Sequence, residues 1–195
     1  MRKLIEKLKM AGVRFAPGMT AGELDRAEDF FGFRFPKEIR EFLMLAVPVG
    51  EDFFDYRDCS PGNRKRFDDF SEWMEGQFRF DLENCREFLL ELVGEKLGFA
   101  EAAPDFDEAV MAYWRESVKL IPFYAHRCFF DEMDDMPIVS FWQSVDTIVY
   151  GGNFKHYLEM EFLVECAGED DFADFAWKEL KDRLKTTGIW AELIE

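Results

Sequence analysis

Residues 120–124 read Leu-Ile-Pro-Phe-Tyr, an apolar run of strand length with no charged residue inside it. Such a run is a buried strand, and a buried strand needs other elements to cover it. The surrounding sequence supplies them. Cys128–Phe130 reads as a second strand and Asp131–Asp135 as an acidic turn. Pro137–Gln143 and Thr147–Tyr150 read as two more strands joined by a tight Ser144-Val145-Asp146 link, with Gly151 and Gly152 as punctuation. Helical patterns stand on either side of this strand-rich middle. The class is therefore α+β: a central, mainly antiparallel sheet flanked by helices, with an extra helix at the C-terminus.

Leu4, Ile5 and Leu8 make one face of an opening helix that Gly12 can end. Thr20-Ala21-Gly22-Glu23 is a capping box, followed at helical spacing by Leu24, Ala27, Phe30 and Phe31, with Gly32 as the left-handed stop. Pro36, at a helix N1 position, restarts the chain, and Ile39, Phe42, Leu43 and Ala46 form the next stripe. Residues 50–64 read as loop with a short strand near Phe53–Tyr56, ending in the turn chemistry of Ser60-Pro61-Gly62-Asn63. Phe67, Phe70, Trp73 and Met74 predict a third helix. Phe78, Phe80 and Leu82 alternate with Gln77, Arg79 and Asp81, which predicts a half-buried strand. Residues 85–98 fit strand or helix, and their periodicity favours helix. Ala109, Tyr113 and Trp114 belong to a helix starting near Asp105, and Phe154, Tyr157, Leu158 and Phe162 to another. The last helix spans roughly 170–186, with Phe172, Phe175, Ala176, Leu180 and Leu184 on one face. Its acidic start (Glu169, Asp170, Asp171) and basic end (Lys181, Arg183, Lys185) suit the helix dipole.

Charge narrows the function. The 195 residues hold 41 acids against 24 Lys and Arg, a formal net charge of -17, which speaks against direct nucleic-acid binding. Cys59, Cys85, Cys128 and Cys166 are too few and scattered for a disulfide framework, and read as reduced thiols of a cytoplasmic protein. The N-terminus lacks the apolar core of a signal peptide. The longest apolar candidate, Phe42–Val49, is short and contains Pro48, so no membrane span is expected. No dinucleotide, P-loop or nucleophile-elbow motif occurs, and no cofactor is expected.

His126-Arg127-Cys128 is the one place where His and Cys come close. Zinc would need two more ligands, and a Cys–His nucleophile lacks an orienting acid, so no metal and no catalytic residue is assigned. Gly151-Gly152-Asn153 before a helix reads as a turn rather than an anion cradle. With this many acids, the pairs Asp68/Asp69, Asp134/Asp135, Glu159/Glu161 and Asp170/Asp171 are expected by chance. Two acidic patches have a sharper reading as a surface that occupies a basic partner. Asp131, Glu132, Asp134 and Asp135 are interleaved with Phe129, Phe130, Met133 and Met136, and Asp68, Asp69 and Glu72 lead to Trp73. The plain alternative for both is a solvated loop or helix face.

Four strings in order resemble the SUKH superfamily, which groups fungal regulators of cell-wall synthesis with bacterial immunity proteins against toxins. Glu28-Asp29-Phe30-Phe31-Gly32-Phe33-Arg34-Phe35-Pro36 is similar to its opening motif, with Phe31 and Phe35 where leucines are usual. Phe80-Asp81-Leu82-Glu83-Asn84 is similar to a family strand, and Leu120 through His126-Arg127 to a strand and turn. Met136 through Phe141, with Gln143, Asp146, Ile148, Tyr150, Gly151 and Phe162, resembles the closing strand pair and helix. The resemblance covers roughly residues 13–165. It implies a SUKH-like α+β domain over residues 1–165; residues 166–195 lie outside the resemblance and read as a C-terminal helical extension packed on the same domain. In the extension, Trp190 and Leu193 dock or mediate assembly. It implies a binding domain and no enzyme, and recasts His126 and Arg127 as residues that pin a turn, with Asp146 as a partner for Arg127. The leading expectation is a cytoplasmic immunity protein that neutralises a cognate toxin domain, possibly a basic nuclease, through an acidic, aromatic-rich face. The alternative is a regulatory or scaffold module on a host enzyme of cell-wall synthesis or signalling. A hydrolase using His126 is the third reading. Monomer and homodimer both remain open.

Overall fold

In the computed structural model, which describes residues 1–100, 103–163 and 177–194, the apolar runs of the middle pair as an antiparallel meander. Its strands, β3 (Leu120–Tyr124), β4 (Arg127–Phe130), β5 (Ile138–Ser140) and β6 (Ile148–Gly151), lie side by side in that order. Successive side chains enter different cores. Ile121, Phe123, Phe129 and Ile138 join one, while Leu120, Cys128, Phe130 and Val139 join the other. Because both faces are covered, these strands show no regular polar alternation, and the fold is α+β with helices on either side of the sheet.

The first core is closed by α1 (Arg2–Met10), α2 (Ala21–Phe31), α3 (Lys37–Leu45) and α7 (Phe154–Phe162). A small antiparallel pair, β1 (Arg14–Pro17) with β2 (Ala46–Val49), lies beside them. The second core is closed by α5 (Arg86–Leu97), α6 (Phe106–Glu116), α8 (Trp177–Leu184) and α9 (Trp190–Leu193). The long α4 (Pro61–Asn84) serves both, giving Phe67 to the first and Met74, Phe78 and Leu82 to the second.

Local chemistry sets the boundaries. The capping box is made: Thr20 Oγ1 accepts from Glu23 N at 3.3 Å and Thr20 N donates to Glu23 Oε2 at 2.7 Å. Gly32 closes α2 at φ 78°. Pro36 stands at the N-cap of α3, one position earlier than its predicted N1. The corner between α2 and α3 turns around the buried Glu28 carboxylate, which accepts from Phe35 N at 3.1 Å and Arg40 Nη1 at 2.8 Å. β1 and β2 have four residues each and left no readable alternation. Beside them, a Cβ on Gly18 would sit 2.0 Å from the Met44 carbonyl oxygen, so only glycine fits that approach.

Two predicted strands are corrected. The chain near Phe53–Tyr56 makes only a single bridge, Phe53 to Tyr124, with Phe54 N donating to Phe123 O at 3.1 Å. Residues 78–82 are helix, in the second half of α4. Met74, Phe78 and Leu82 recur every fourth residue and are buried, while Phe80 is 50% exposed. That spacing outweighs a three-residue alternation. Phe80–Asn84, compared with a SUKH strand, therefore lies on a helix. Asp81, 1% exposed, accepts from Ser144 N at 2.8 Å, Ser144 Oγ at 2.5 Å and Val145 N at 3.3 Å, and so ties α4 to the turn between β5 and β6.

Within residues 85–98, Arg86–Leu97 form α5, which closes on Gly98 at φ 82°. Leu180 and Leu184 of α8 are buried, whereas Phe172, Phe175, Ala176 and Cys166 fall outside the described residues. Trp190 and Leu193 dock inside the second core, where Trp190 Nε1 donates to Val118 O at 2.7 Å. Among the described residues, no helix is long and apolar enough to cross a membrane.

The helical reading of residues 78–82 has a direct test. Phe78→Ala is expected to cost about 3–5 kcal/mol in urea denaturation. Phe80→Ser should stay within about 0.5 kcal/mol. Similar losses at both positions would restore the strand.

Candidate partner-binding surface

The acidic turn after β4 is tied to the chain from Arg34 to Glu38. Asp131 Oδ1 accepts from Arg34 N at 2.7 Å, and Glu132 N donates to Arg34 O at 3.0 Å. Asp134 Oδ1 accepts from Lys37 N at 2.8 Å, and Asp134 Oδ2 lies 2.5 Å from Lys37 Nζ. Glu38 Oε1 accepts from Asp135 N at 3.0 Å, and the Asp135 carboxylate lies 3.3 Å from Arg183. The turn thus satisfies free N–H groups at the start of α3, where a helix has no partners of its own. The hydrogen bonds from Lys37 hold Asp134 below the usual carboxylate range, while burial holds Asp131 and Glu38 above it. Phe130 is fully buried, which corrects its assignment as a partner anchor, and Met133 is half-buried against the second core. Of the turn's four acids, Glu132 alone has an exposed side chain without a partner among the described residues.

Arg127 is a tie, and its carboxylate is Glu161 rather than Asp146. Nε lies 3.2 Å from Glu161 Oε2, and both side chains are largely buried. The guanidinium sits 3.7 Å from the Tyr150 ring centroid, and Nη1 donates to Ser140 Oγ at 3.1 Å and meets the His126 ring nitrogen. This cluster joins β4 to α7. Asp146 stands exposed in the single helical turn Ser144–Asp146. Burial raises the Glu161 carboxyl above its ordinary value, against the pull of Arg127. Burial, then the Arg127 charge, lowers the His126 imidazole. Burial pushes the Cys128 thiol well up, the reverse of what a nucleophile needs. Among the described residues, no group of three His, Cys, Asp or Glu side chains could hold a metal ion. The Gly151-Gly152-Asn153 turn serves its own helix: Asn153 Oδ1 accepts from His156 N at 2.9 Å.

The acids of α4 divide between two flanks, because neighbours on a helix point about 100° apart. Asp68 and Glu72 line a cleft of about 340 Å³ whose walls include Phe67, Met74, Trp114 and Leu120. Asp69 lines a second cleft, of about 250 Å³, with Phe70, Arg66 and Pro122. Asp68 is paired with Arg64 at 2.9 Å and Asp69 with Lys65. Trp73 lies 5.4 Å from the buried Phe141 and 5.4 Å from Phe70, ring to ring.

Against Trp73 lies the residue that sequence reasoning missed. Trp142 is 59% exposed, with its ring 6.2 Å from Trp73 and 5.5 Å from His126, edge-on to both. Its signal is its position just beyond β5: Phe141 turns into the second core, so its neighbour turns out. The two tryptophans and His126 form an aromatic ledge whose exposed member is Trp142. An exposed Trp propped by other rings suits recognition of cationic, partly apolar surfaces. No protein-family model, no curated protein and no solved structure matches this chain.

Asp134→Ala is expected to lower stability by about 1 kcal/mol through the lost cap on α3, whereas Glu132→Gln should stay within about 0.5 kcal/mol. Equal and negligible effects in denaturation would return the turn to solvent. His126 adds a pH dependence. Its lowered value means that the unfolded chain takes the proton first, so its contribution is full above about pH 6.5 and falls below it. Asp131, Glu38 and Glu161, raised by burial, act in the opposite sense within the acid range, so the comparison must be with His126→Gln. Wild type should lose stability relative to that variant as the pH drops, and a pH-independent difference would refute the assignment.

Proposed function

We propose that the protein is a non-enzymatic, cytoplasmic binding module of the immunity-protein kind. It neutralises a toxin domain with a basic surface, such as a nuclease, by covering that surface. The observation that carries this reading is Trp142, 59% exposed and propped edge-on against Trp73, on a chain of net charge -17. A single well-supported exposed tryptophan is the chemistry of an interface anchor. The charge excess would raise the encounter rate with a basic partner, and the anchor would set the lifetime of the complex. The SUKH-like strings around Glu28 and from Leu120 to Arg127 support the same reading, and the helical Phe80–Asn84 string does not. His126 and Arg127 are assigned structural work, in keeping with a protein that performs no chemistry. The acidic surface takes the place of nucleic acid and does not bind it.

The test is capture of partners from the native cell on the tagged protein, eluted along a salt gradient and identified by mass spectrometry. A basic toxin domain released by moderate salt is expected. With that domain purified, Trp142→Ala should speed dissociation by about 30-fold and leave the urea midpoint unchanged. A housekeeping synthase or signalling protein in place of a toxin would favour a scaffold role. Tight capture indifferent to salt would remove charge from the mechanism.

A further inference from the structure

Arg127 bears on more than Glu161. Its guanidinium is largely buried among Glu161, Tyr150 and Ser140, which fix it in place. Its Nη1 also meets Nε2 of His126. A guanidinium has only donors, so the histidine nitrogen that faces it is the acceptor. The contact therefore selects one state of the ring: neutral, with its proton on Nδ1. The same ring lies 5.5 Å from Trp142, edge-on, and with Trp73 it makes up the support of that exposed side chain.

The backbone of this turn is held on both sides. Ala125, at φ 47°, donates its N–H to Asp52 O at 2.8 Å, and His126 O accepts from Phe141 N at 3.0 Å. A response to charge is thus confined to the His126 side chain, which is half-buried and can turn toward water. Around the ring, β4 presents Arg127, the end of β5 Trp142, α4 Trp73, β6 Tyr150, and α7 Glu161, whose carboxylate Arg127 already holds. Asp52, Arg66 and Asp69 line the cleft that reaches Ala125, where Asp69 is paired with Lys65 and Arg66 lies over Phe54. Among the described residues, no carboxylate bonds the imidazole to offset a second positive charge beside Arg127. Burial and the Arg127 charge accordingly hold the imidazole below its ordinary value.

We infer that His126 is the positioning residue of Trp142 and serves only while neutral: a proton on its ring drives it off the immobile Arg127 and removes one of the two supports of the exposed indole. The effect on binding rests on Trp142 being the anchor, as proposed above, whereas the movement of the ring does not. Binding through Trp142 then displaces one proton, so affinity should fall by up to about tenfold per pH unit below the imidazole's value.

The experiment uses the full chain, isotope-labelled and without any partner, followed by NMR from about pH 8 down to about pH 5. At the upper end the His126 proton should be found on Nδ1, with nuclear Overhauser contacts between its ring and the Trp142 indole. Those contacts should vanish along a one-proton curve with its midpoint below about pH 6.5, while contacts between Tyr150 and Arg127 persist. In His126→Gln, whose amide oxygen can still accept from Arg127, the Trp142 indole signal should stay at its upper-end position throughout. In His126→Ala it should be displaced from the start. The wild-type titration needs no variant to fold, so it decides the matter by itself if His126→Ala does not. A proton on Nε2 at the upper end, or ring contacts with Trp142 that survive protonation, would overturn the inference. Either result leaves the Trp142→Ala dissociation test untouched, and failure to capture a basic toxin leaves the titration standing, so the two readings fail separately.

Discussion

Both faces of the four-stranded sheet are shut off from water, and the rest of the architecture answers to that constraint. A sheet with one solvated face could have been covered by the first 60 residues alone. Here Leu120, Cys128, Phe130 and Val139 need a second layer, which α5, α6 and the C-terminal pair α8 and α9 provide. The extension beyond residue 165 is thus partly core: Leu180, Leu184, Trp190 and Leu193 are all buried. Burying so much apolar surface on two sides is the main favourable term in such a fold.

Layers made of aromatic side chains specify contact but not orientation, and buried polar groups do the orienting. Glu28 turns the corner between α2 and α3, Asp81 holds α4 against the β5–β6 turn, and Arg127 joins β4 to α7 through Glu161. Asp131 and Asp134 act likewise on α3 from across the molecule. Several of the protein's many acids therefore serve the inside of the fold. The net charge of -17 therefore does not translate acid for acid into a free acidic surface.

Much of this was legible because its causes are local. A capping box, a left-handed glycine and an unbroken apolar run each act within a few residues, and Thr20, Gly32 and Leu120–Tyr124 behave as read. The misreadings share the opposite cause. Phe78 and Leu82 satisfied two periods at once, and only burial against α6 and the sheet decides between them. Arg127 needed a carboxylate, and Asp146 was the nearer choice along the chain, but the fold brings Glu161. The acidic turn looked free because Arg34 and Lys37, nearly a hundred residues away, gave no sign of being its partners. Trp142 went unnoticed because exposure is a tertiary property: its outward position follows only once Phe141 is known to enter the second core.

The order in which the covering layers occur along the chain has a consequence for synthesis. A meander of neighbouring strands forms through short loops and therefore early; α1 to α3 precede it and α7 follows it directly, so the first face has its cover close at hand in the chain. The second face is different. Part of its cover, residues 189–194, comes well after the sheet in the chain. Until then Phe130, Val139 and Phe141 lack part of their packing, and the nascent chain presents an apolar surface to whatever is near. The sheet's outer layer is thus assembled from chain on both sides of the sheet, and is finished only by the segment that follows it.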